Sequence, residues 1–292
     1  MELFTKIKQL YLRANIPTKL IFINVGLFVV INLIIVTFTL FQIKGVNFIR
    51  YLQMPSSYQL FIYRPWTILT YMFVHIEVLH ILFNMLWLYW FGRIFLLFFN
   101  ERQFGGLYIT GGIVGAIFFL ISYNLFPYFR DVVGPGFLMG ASASVMAIVF
   151  AASFYQKNYE INLLFIGRIK LIYLALFALI VDLLSVVSVN AGGHIAHIGG
   201  ALFGIVYASQ YQKGKDLTTV INRLIDRMVN FKKRRRVRMK VTYQRKETDM
   251  EYNKRKRQEA DNLDEILDKL KHFGYQSLSS DEKKSLFDAS KK

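Results

Sequence analysis

The sequence predicts an all-α polytopic membrane protein with six transmembrane helices, and three observations carry that reading. The chain has 292 residues, 54% of them hydrophobic and 16% aromatic, which is too apolar for an ordinary soluble domain of this length. Its apolar residues gather in runs as long as a bilayer requires, about 20 helical residues for the hydrocarbon core. Charge is unevenly placed: acids are scarce between residues 19 and 212, while Lys and Arg crowd the last third. The net charge of +17 therefore belongs mainly to a tail. The absence of cysteine excludes disulfides, thiol chemistry and cysteine-ligated metals.

Residues 1–18 form a basic N-terminus with Lys6, Lys8 and Arg13 and no secretory apolar core. The first apolar run, 20–41, is longer than a signal-peptide core and no small-residue cleavage site follows it, so it reads as a retained span. Residues 42–75 are rich in aromatics, including Phe48, Tyr51, Tyr58, Phe61, Tyr63, Trp66 and Tyr71, and are broken by Pro55 and Pro65. Such a segment suits the membrane interface, half in lipid. Further spans are expected at about 78–99, 104–126, 137–155, 162–189 and 195–211.

Short loops on the side of the basic N-terminus carry Arg102, Lys157, Arg168 and Lys170. Six spans return the C-terminus to that side, where KKRRRVRMK (232–240) lies. By the positive-inside rule both ends are cytoplasmic, and a multi-pass protein of a bacterial inner membrane is expected. The chain divides into the N-terminus 1–18, a six-helix domain 19–212 and a basic cytosolic tail 213–292.

The tail opens with Leu217, Val220, Ile221, Leu224, Ile225 and Met228 at helical spacing, an amphipathic continuation. It ends in two short helices. Gly274 stops the first, and Ser279 with Glu282 makes a capping box for the second. The basic run is expected to lie on the anionic cytoplasmic leaflet, each charge contributing about 1 kcal/mol near the surface, rather than to bind nucleic acid.

Ionisable side chains at bilayer depth cost roughly 2.5–3.5 kcal/mol at the centre on insertion scales, so each needs a reason. Those in or beside the spans are His75, Glu77, His80, Asp182, His194 and His197. In HILFN, His80 and Asn84 are four residues apart and share a helix face. They are either partners for a neighbouring helix or two neutral donors aimed at an oxyanion. In HIAHIGGALFG, His197, Gly200, Ala201, Gly204 and Ala208 form a small-residue stripe, the pattern that lets helices approach closely.

Ala143, Ala147 and Ala151 form a matching stripe behind GASAS. If the stripes face each other, His197 comes near Ser142, and a serine beside a base is a nucleophile. Ser142 would stand in the first helical turn, where free N–H groups and the dipole favour negative charge. Ser144 points elsewhere and is the weaker candidate. Asp182 lies far along another span, so spacing implies no Ser-His-Asp triad.

No metal and no cofactor is expected. The zinc-protease pattern H-E-x-x-H is missing, and HIEVLH has the wrong spacing. The acids available at depth, Glu77 and Asp182, do not make a shared carboxylate pair.

Assembled in order, PWTILTYMFVH, HILFNMLWLYWFG, GASA and AHIGGALFG resemble the rhomboid family of intramembrane serine proteases over residues 19–212. The resemblance implies a six-transmembrane-helix bundle with a membrane-embedded first loop. It also implies an endopeptidase that cuts membrane proteins in or near their transmembrane segments. Ser142 resembles the nucleophile and His197 the base of a Ser-His dyad. His80 and Asn84 resemble the oxyanion donors, aided by the Ser142 N–H.

His75 resembles a supporting histidine, Gly140 opens the serine motif, and Gly200 and Gly204 resemble the close-packing glycines of the last helix. Two positions depart from the family pattern. Ala143 stands where glycine is usual, and Met146 where an aromatic often packs on the histidine; a thioether packs on rings too.

The implied partners are transmembrane protein substrates and membrane lipids. The dyad needs a neutral His197, so turnover is expected to fall in acid. Two other classes fit less well. A catalytically inactive rhomboid-like protein that binds membrane clients needs none of these side chains. A transporter would explain the histidines but not Ser142 with its oxyanion pair.

Overall fold

The computed structural model describes residues 2–43, 47–132, 134, 136–163, 167–234 and 248–290. They fall into two compact units that divide at residue 234/235.

In the first unit α1 (Glu2–Arg13) leads into α2 (Ile16–Leu40). Asn15 caps α2 by accepting the Thr18 N–H, with Pro17 in the first turn, where its missing donor costs nothing. The aromatic segment then winds through β1 (Met54–Pro55), α3 (Tyr58–Tyr63) and α4 (Thr67–Thr70). Next come α5 (Val78–Phe95), α6 (Glu101–Leu125), β2 (Phe137–Leu138), α7 (Ser142–Tyr155), β3 (Glu160–Leu163), β4 (Gly167–Lys170), α8 (Leu171–Leu184), α9 (Ala191–Gln212) and α10 (Thr219–Arg234).

Helices α2, α5, α6 and α9 are long and apolar enough to cross a membrane. α7 and α8 are apolar but have 14 residues each. At about 1.5 Å per residue they rise about 21 Å, against a hydrocarbon core of about 30 Å. For α7 the deficit is harmless. Every residue from Ala143 to Ser153 is buried, and a helix wrapped in protein can begin at depth. Its first residue, Ser142, is thereby placed inside the bundle. Outer helices instead expose apolar side chains, Val25, Leu33 and Val36 on α2 and Phe177, Ile180 and Leu184 on α8.

Two expected spans start later than their apolar runs. The fourth was placed from 137, but Phe137 and Leu138 pair with Pro55 and Met54 as a short antiparallel ladder. The fifth was placed over 162–189, but β3 and β4 form an antiparallel hairpin with Glu160 opposite Lys170, and only Leu171–Leu184 is helical. The strands alternate apolar with polar side chains, Ile161 then Asn162, Arg168 then Ile169, the period of a strand. The hairpin also keeps Arg168 and Lys170 out of a span; Lys170 Nζ donates to Asn158 Oδ1 at 3.0 Å.

The tightest packing joins α6, α7 and α9. A Cβ added to Gly200 would lie 2.1 Å from the Ala143 carbonyl oxygen, and one on Gly204 2.4 Å from that of Ala147. Both obstacles are backbone, so neither can yield. α6 meets the same two α7 residues: a Cβ on Gly111 would lie 2.3 Å from the Ala147 Cβ, and one on Gly115 2.6 Å from the Ala143 Cβ. Three helices thus close on Ala143 and Ala147, and the Ala143 methyl fills the hollow above Gly115.

The aromatic segment is ordered by its own hydrogen bonds. Trp66 Nε1 donates to the Tyr51 carbonyl at 2.8 Å and Thr70 Oγ1 to that of Leu52 at 2.7 Å. Arg64 lies over the Tyr51 ring at 4.1 Å. Met54, Tyr71 and Met72 are fully buried, while Tyr58, Tyr63 and Trp66 remain exposed. The segment is thus partly buried against the bundle and partly exposed.

On α10 the stripe Val220, Leu224 and Met228 is exposed. The helix meets α6 through an Arg102–Asp226 ion pair and through Thr218 and Asn222 over Gly106. Residues 235–247 lie outside the described residues, and with them most of the basic run 232–240.

The second unit contains α11 (Asp249–Phe273) and α12 (Ser280–Ala289); the first of the two expected short helices is instead 25 residues long and starts well before Leu263. Thr248 with Glu251 caps α11, Gly274 follows it at φ 75°, and Ser279 with Glu282 caps α12. The Ser279 N–H and then the Lys269 ammonium hold the Glu282 carboxyl down, to about 2. A depressed carboxyl stabilises above its ordinary range and ceases to as pH falls through its folded value. The protection factors of amides in the first turn of α12, taken against intrinsic exchange at each pH, are therefore expected to hold near neutral pH and to fall as pH drops towards 2.

Gly200→Ala forces α9 off α7 and is expected to cost about 1–3 kcal/mol, the usual cost of overpacking. Thermal unfolding in detergent should report it. Gly26→Ala, also within a helix but where an added methyl meets nothing within 4 Å, is the matched control and should hold or slightly raise the midpoint.

Candidate active site

Ser142 opens α7, and the turn before it is held from three directions. Gly140 has φ 111°, a conformation that suits glycine, and a Cβ there would lie 2.8 Å from the His80 ring. The Gly140 N–H donates to the Tyr71 carbonyl at 2.9 Å, and the Ala141 N–H to His75 Nε2 at 3.3 Å. The Ser56 hydroxyl and N–H both reach the Gly136 carbonyl, at 2.9 and 3.0 Å. The aromatic segment thus supplies the partners that this irregular backbone needs where it is buried.

His75 is fully buried, edge-on to His80 at 5.2 Å between ring centres. Asn84 sits one turn after His80 on α5 and donates to the His80 carbonyl at 2.9 Å. That bond leaves its second amide hydrogen and its oxygen for other partners.

Ser142, Asn84 and His197 line one cavity of about 390 Å³, together with Met146 and Asp182. The rest of its wall is apolar, Phe83 and Trp87 from α5 and Leu174, Phe177 and Val181 from α8. His80 lies close to Gly140, two residues before Ser142. Met146 faces the cavity from one turn after Ser142. Ser144 is fully buried against Met72 and Gly112, packed away from the cavity.

One contact overturns the sequence reading. Spacing puts Asp182 far from His197, yet its Oδ1 lies 2.9 Å from His197 Nδ1 and 2.7 Å from His194 Nδ1. The error came from extending the fifth span to 189. α8 ends at Leu184, the chain turns between Ser185 and Asn190, and α9 starts at Ala191. Asp182 therefore stands in the last turn of α8, beside the first turns of the antiparallel α9. His194 and His197, three residues apart, share the face that meets it. The three side chains hold an oxygen and two ring nitrogens within 4.8 Å of one another, the described group that could accept a divalent ion. Their contacts, at 2.7 and 2.9 Å, are of hydrogen-bond length.

Comparison with known proteins gives the family. A family model described as the Rhomboid domain matches residues 63–213, more than half of the chain. This chain belongs to the rhomboid family. It is an integral, multi-pass membrane protein.

A second family model, described as a family of unknown function (DUF6576), matches residues 246–292. Among rhomboid relatives, RHOMBOID-like protein 12, mitochondrial, of Arabidopsis thaliana is 29% identical over 163 residues, 52% of this chain and 48% of that protein. Presenilin-associated rhomboid-like protein A, mitochondrial, of Danio rerio is 30% identical over 144 residues, 46% of this chain and 34% of that protein. The match thus spans less than half of each curated relative. Both are mitochondrial by name, which gives no support to a bacterial inner membrane.

Sequence reasoning missed two things. The α6 face of Gly111 and Gly115 was legible as a G-x-x-x-G spacing within an apolar run. The Asp182 contact had only the weak signal of SVVSVN, a polar turn inside an apolar segment.

His75→Phe leaves the Ala141 N–H without its acceptor in a buried site. The expected cost is about 1–3 kcal/mol, read as a lowered unfolding midpoint in detergent.

Proposed function

We propose that this rhomboid-family protein is an intramembrane serine endopeptidase that cuts peptide bonds in or near transmembrane segments of membrane proteins. The observation that carries the reading is the shared cavity of Ser142, His197 and Asn84, formed by helices distant in the chain. The family match over 63–213 supports it. Packing alone gives no reason to bring a serine in a first helical turn, an imidazole and a primary amide into one recess.

In the proposed reaction His197 Nε2 takes the proton from Ser142 Oγ as that oxygen attacks the substrate carbonyl. Nδ1 is already engaged by Asp182, so Nε2 is the nitrogen left for this task. The developing oxyanion is stabilised by the Ser142 N–H, the free amide hydrogen of Asn84 and His80. First-turn N–H groups have no intrahelical partner and stand at the positive end of the helix dipole. His197 returns the proton to the leaving amine, and water hydrolyses the acyl-enzyme. The apolar cavity wall from α5 and α8 suits an unwound transmembrane segment.

The proposed topology has six crossings, counting α7 and α8, with both basic ends on the cytoplasmic side. Residues 19–212 carry the protease and 213–292 the tail. The exposed apolar stripe of α10 and the following basic run suit a leaflet surface, with anionic lipids as partners.

A membrane-anchored reporter in proteoliposomes tests the reading. Ser142→Ala should abolish cleavage while still binding the reporter. Asn84→Ala should lower kcat about 10²–10³-fold, the effect of one oxyanion donor. If Ser142→Ala cuts as well as the parent, the protein is not a serine protease; if neither cuts while both bind, it is an inactive binder of membrane clients.

A further inference from the structure

We infer that Asp182 is a positioning residue for His197: it holds the imidazole in the tautomer that leaves Nε2 free to accept the Ser142 proton. The inference rests on the protease reading and adds a third group to the Ser-His pair implied by the family.

The geometry is specific. Asp182 Oδ1 lies 2.9 Å from His197 Nδ1 and 2.7 Å from His194 Nδ1. An ionised carboxylate only accepts, so each ring nitrogen facing it must carry a hydrogen. In neutral His197 that fixes the hydrogen at Nδ1 and the lone pair at Nε2, the arrangement a general base requires. During proton transfer the proton moves from Ser142 Oγ to His197 Nε2. Asp182 stays ionised and faces the imidazolium that forms, as the carboxylate does in soluble Ser-His-Asp enzymes.

The carboxylate is costly where it stands. Its side chain is 8% exposed, and it occupies the last turn of α8, the negative end of that helix dipole. A buried acid there needs compensation, and two imidazole donors provide it. His194 has no place in the proposed chemistry. Its role is to hold the acid from the other side, with its ring edge-on to that of His197 at 5.9 Å. An acid serving packing alone would have no cause to stand at the nitrogen of His197 opposite the one the serine needs.

The test uses the full chain in lipid, with ¹⁵N-histidine NMR and reporter kinetics on the parent and on Asp182→Asn, Asp182→Glu and Ser142→Ala. In the parent, His197 is expected as the Nδ1–H tautomer. Asp182→Asn keeps the shape, but its amide can donate to Nδ1 and reverse the tautomer. Its kcat should fall roughly 10²–10⁴-fold with KM within about threefold. Asp182→Glu, which keeps the carboxylate, should recover at least about tenfold over Asp182→Asn.

A parent His197 in the Nε2–H tautomer overturns the inference whether or not the variants fold. So does an Asp182→Asn protein with kcat within about threefold of the parent. Loss of activity with an unchanged tautomer, or with no recovery in Asp182→Glu, assigns Asp182 to the scaffold and also overturns it. Equal cleavage by Ser142→Ala sinks the protease reading instead, while the tautomer still decides what Asp182 does to His197.

Discussion

The arrangement depends on one close approach, that of α9 to the backbone of α7. Gly200 and Gly204 have no side chain, so their Cα atoms settle over the carbonyls of Ala143 and Ala147. Lipid tails are as apolar as the helices, so burial of apolar surface gives no drive to association inside a bilayer. Shape complementarity and close contact take its place. Each glycine therefore matters more here than in a soluble core. The same contact sets the register that carries His197 to the mouth of α7. Gly111 and Gly115 bring α6 against the same two residues, and Ala143 fits because Gly115 leaves room for its methyl.

A second constraint is the need to satisfy backbone polar groups at depth. α7 is short and starts inside the bundle, so the chain entering it is irregular where water is scarce. Unpaired groups there would cost several kcal/mol each. The aromatic segment removes that cost: Tyr71, His75 and Ser56 serve Gly140, Ala141 and Gly136, and the β1–β2 ladder pins the approach. Packing thus brings the helices together, and hydrogen bonding shapes the opening where Ser142 stands.

Much of this was legible in the sequence because the signals are local. The stripes beginning at Ala143 and His197 follow from helical spacing alone. His80 and Asn84 share a face for the same reason. Ser279, Glu282 and Gly274 mark the helix boundaries seen in the second unit because capping is local chemistry. The misplaced span boundaries have one source. Apolar residues fill strands, turns and helices alike near a membrane, so hydropathy cannot show where a helix starts or stops. It carried the fifth span across the β3–β4 hairpin and past Leu184, and that overrun concealed the partnership of Asp182 with His197. Spacing suggested a nucleophile and base in Ser142 and His197 and left His80 and Asn84 open between helix partners and oxyanion donors; the family resemblance favoured the second reading.

An experimental structure of the full chain in lipid, after reaction with a fluorophosphonate, puts the Ser142–His197 arrangement to its sharpest test. Phosphorus is expected on Ser142 Oγ, with the phosphoryl oxygen directed at Asn84 and the Ser142 N–H. His197 Nε2 should lie within hydrogen-bond distance of the adduct, and Gly200 against the Ala143 carbonyl. Phosphorus on another side chain, or His197 held apart from the adduct with α9 displaced from α7, would contradict that arrangement.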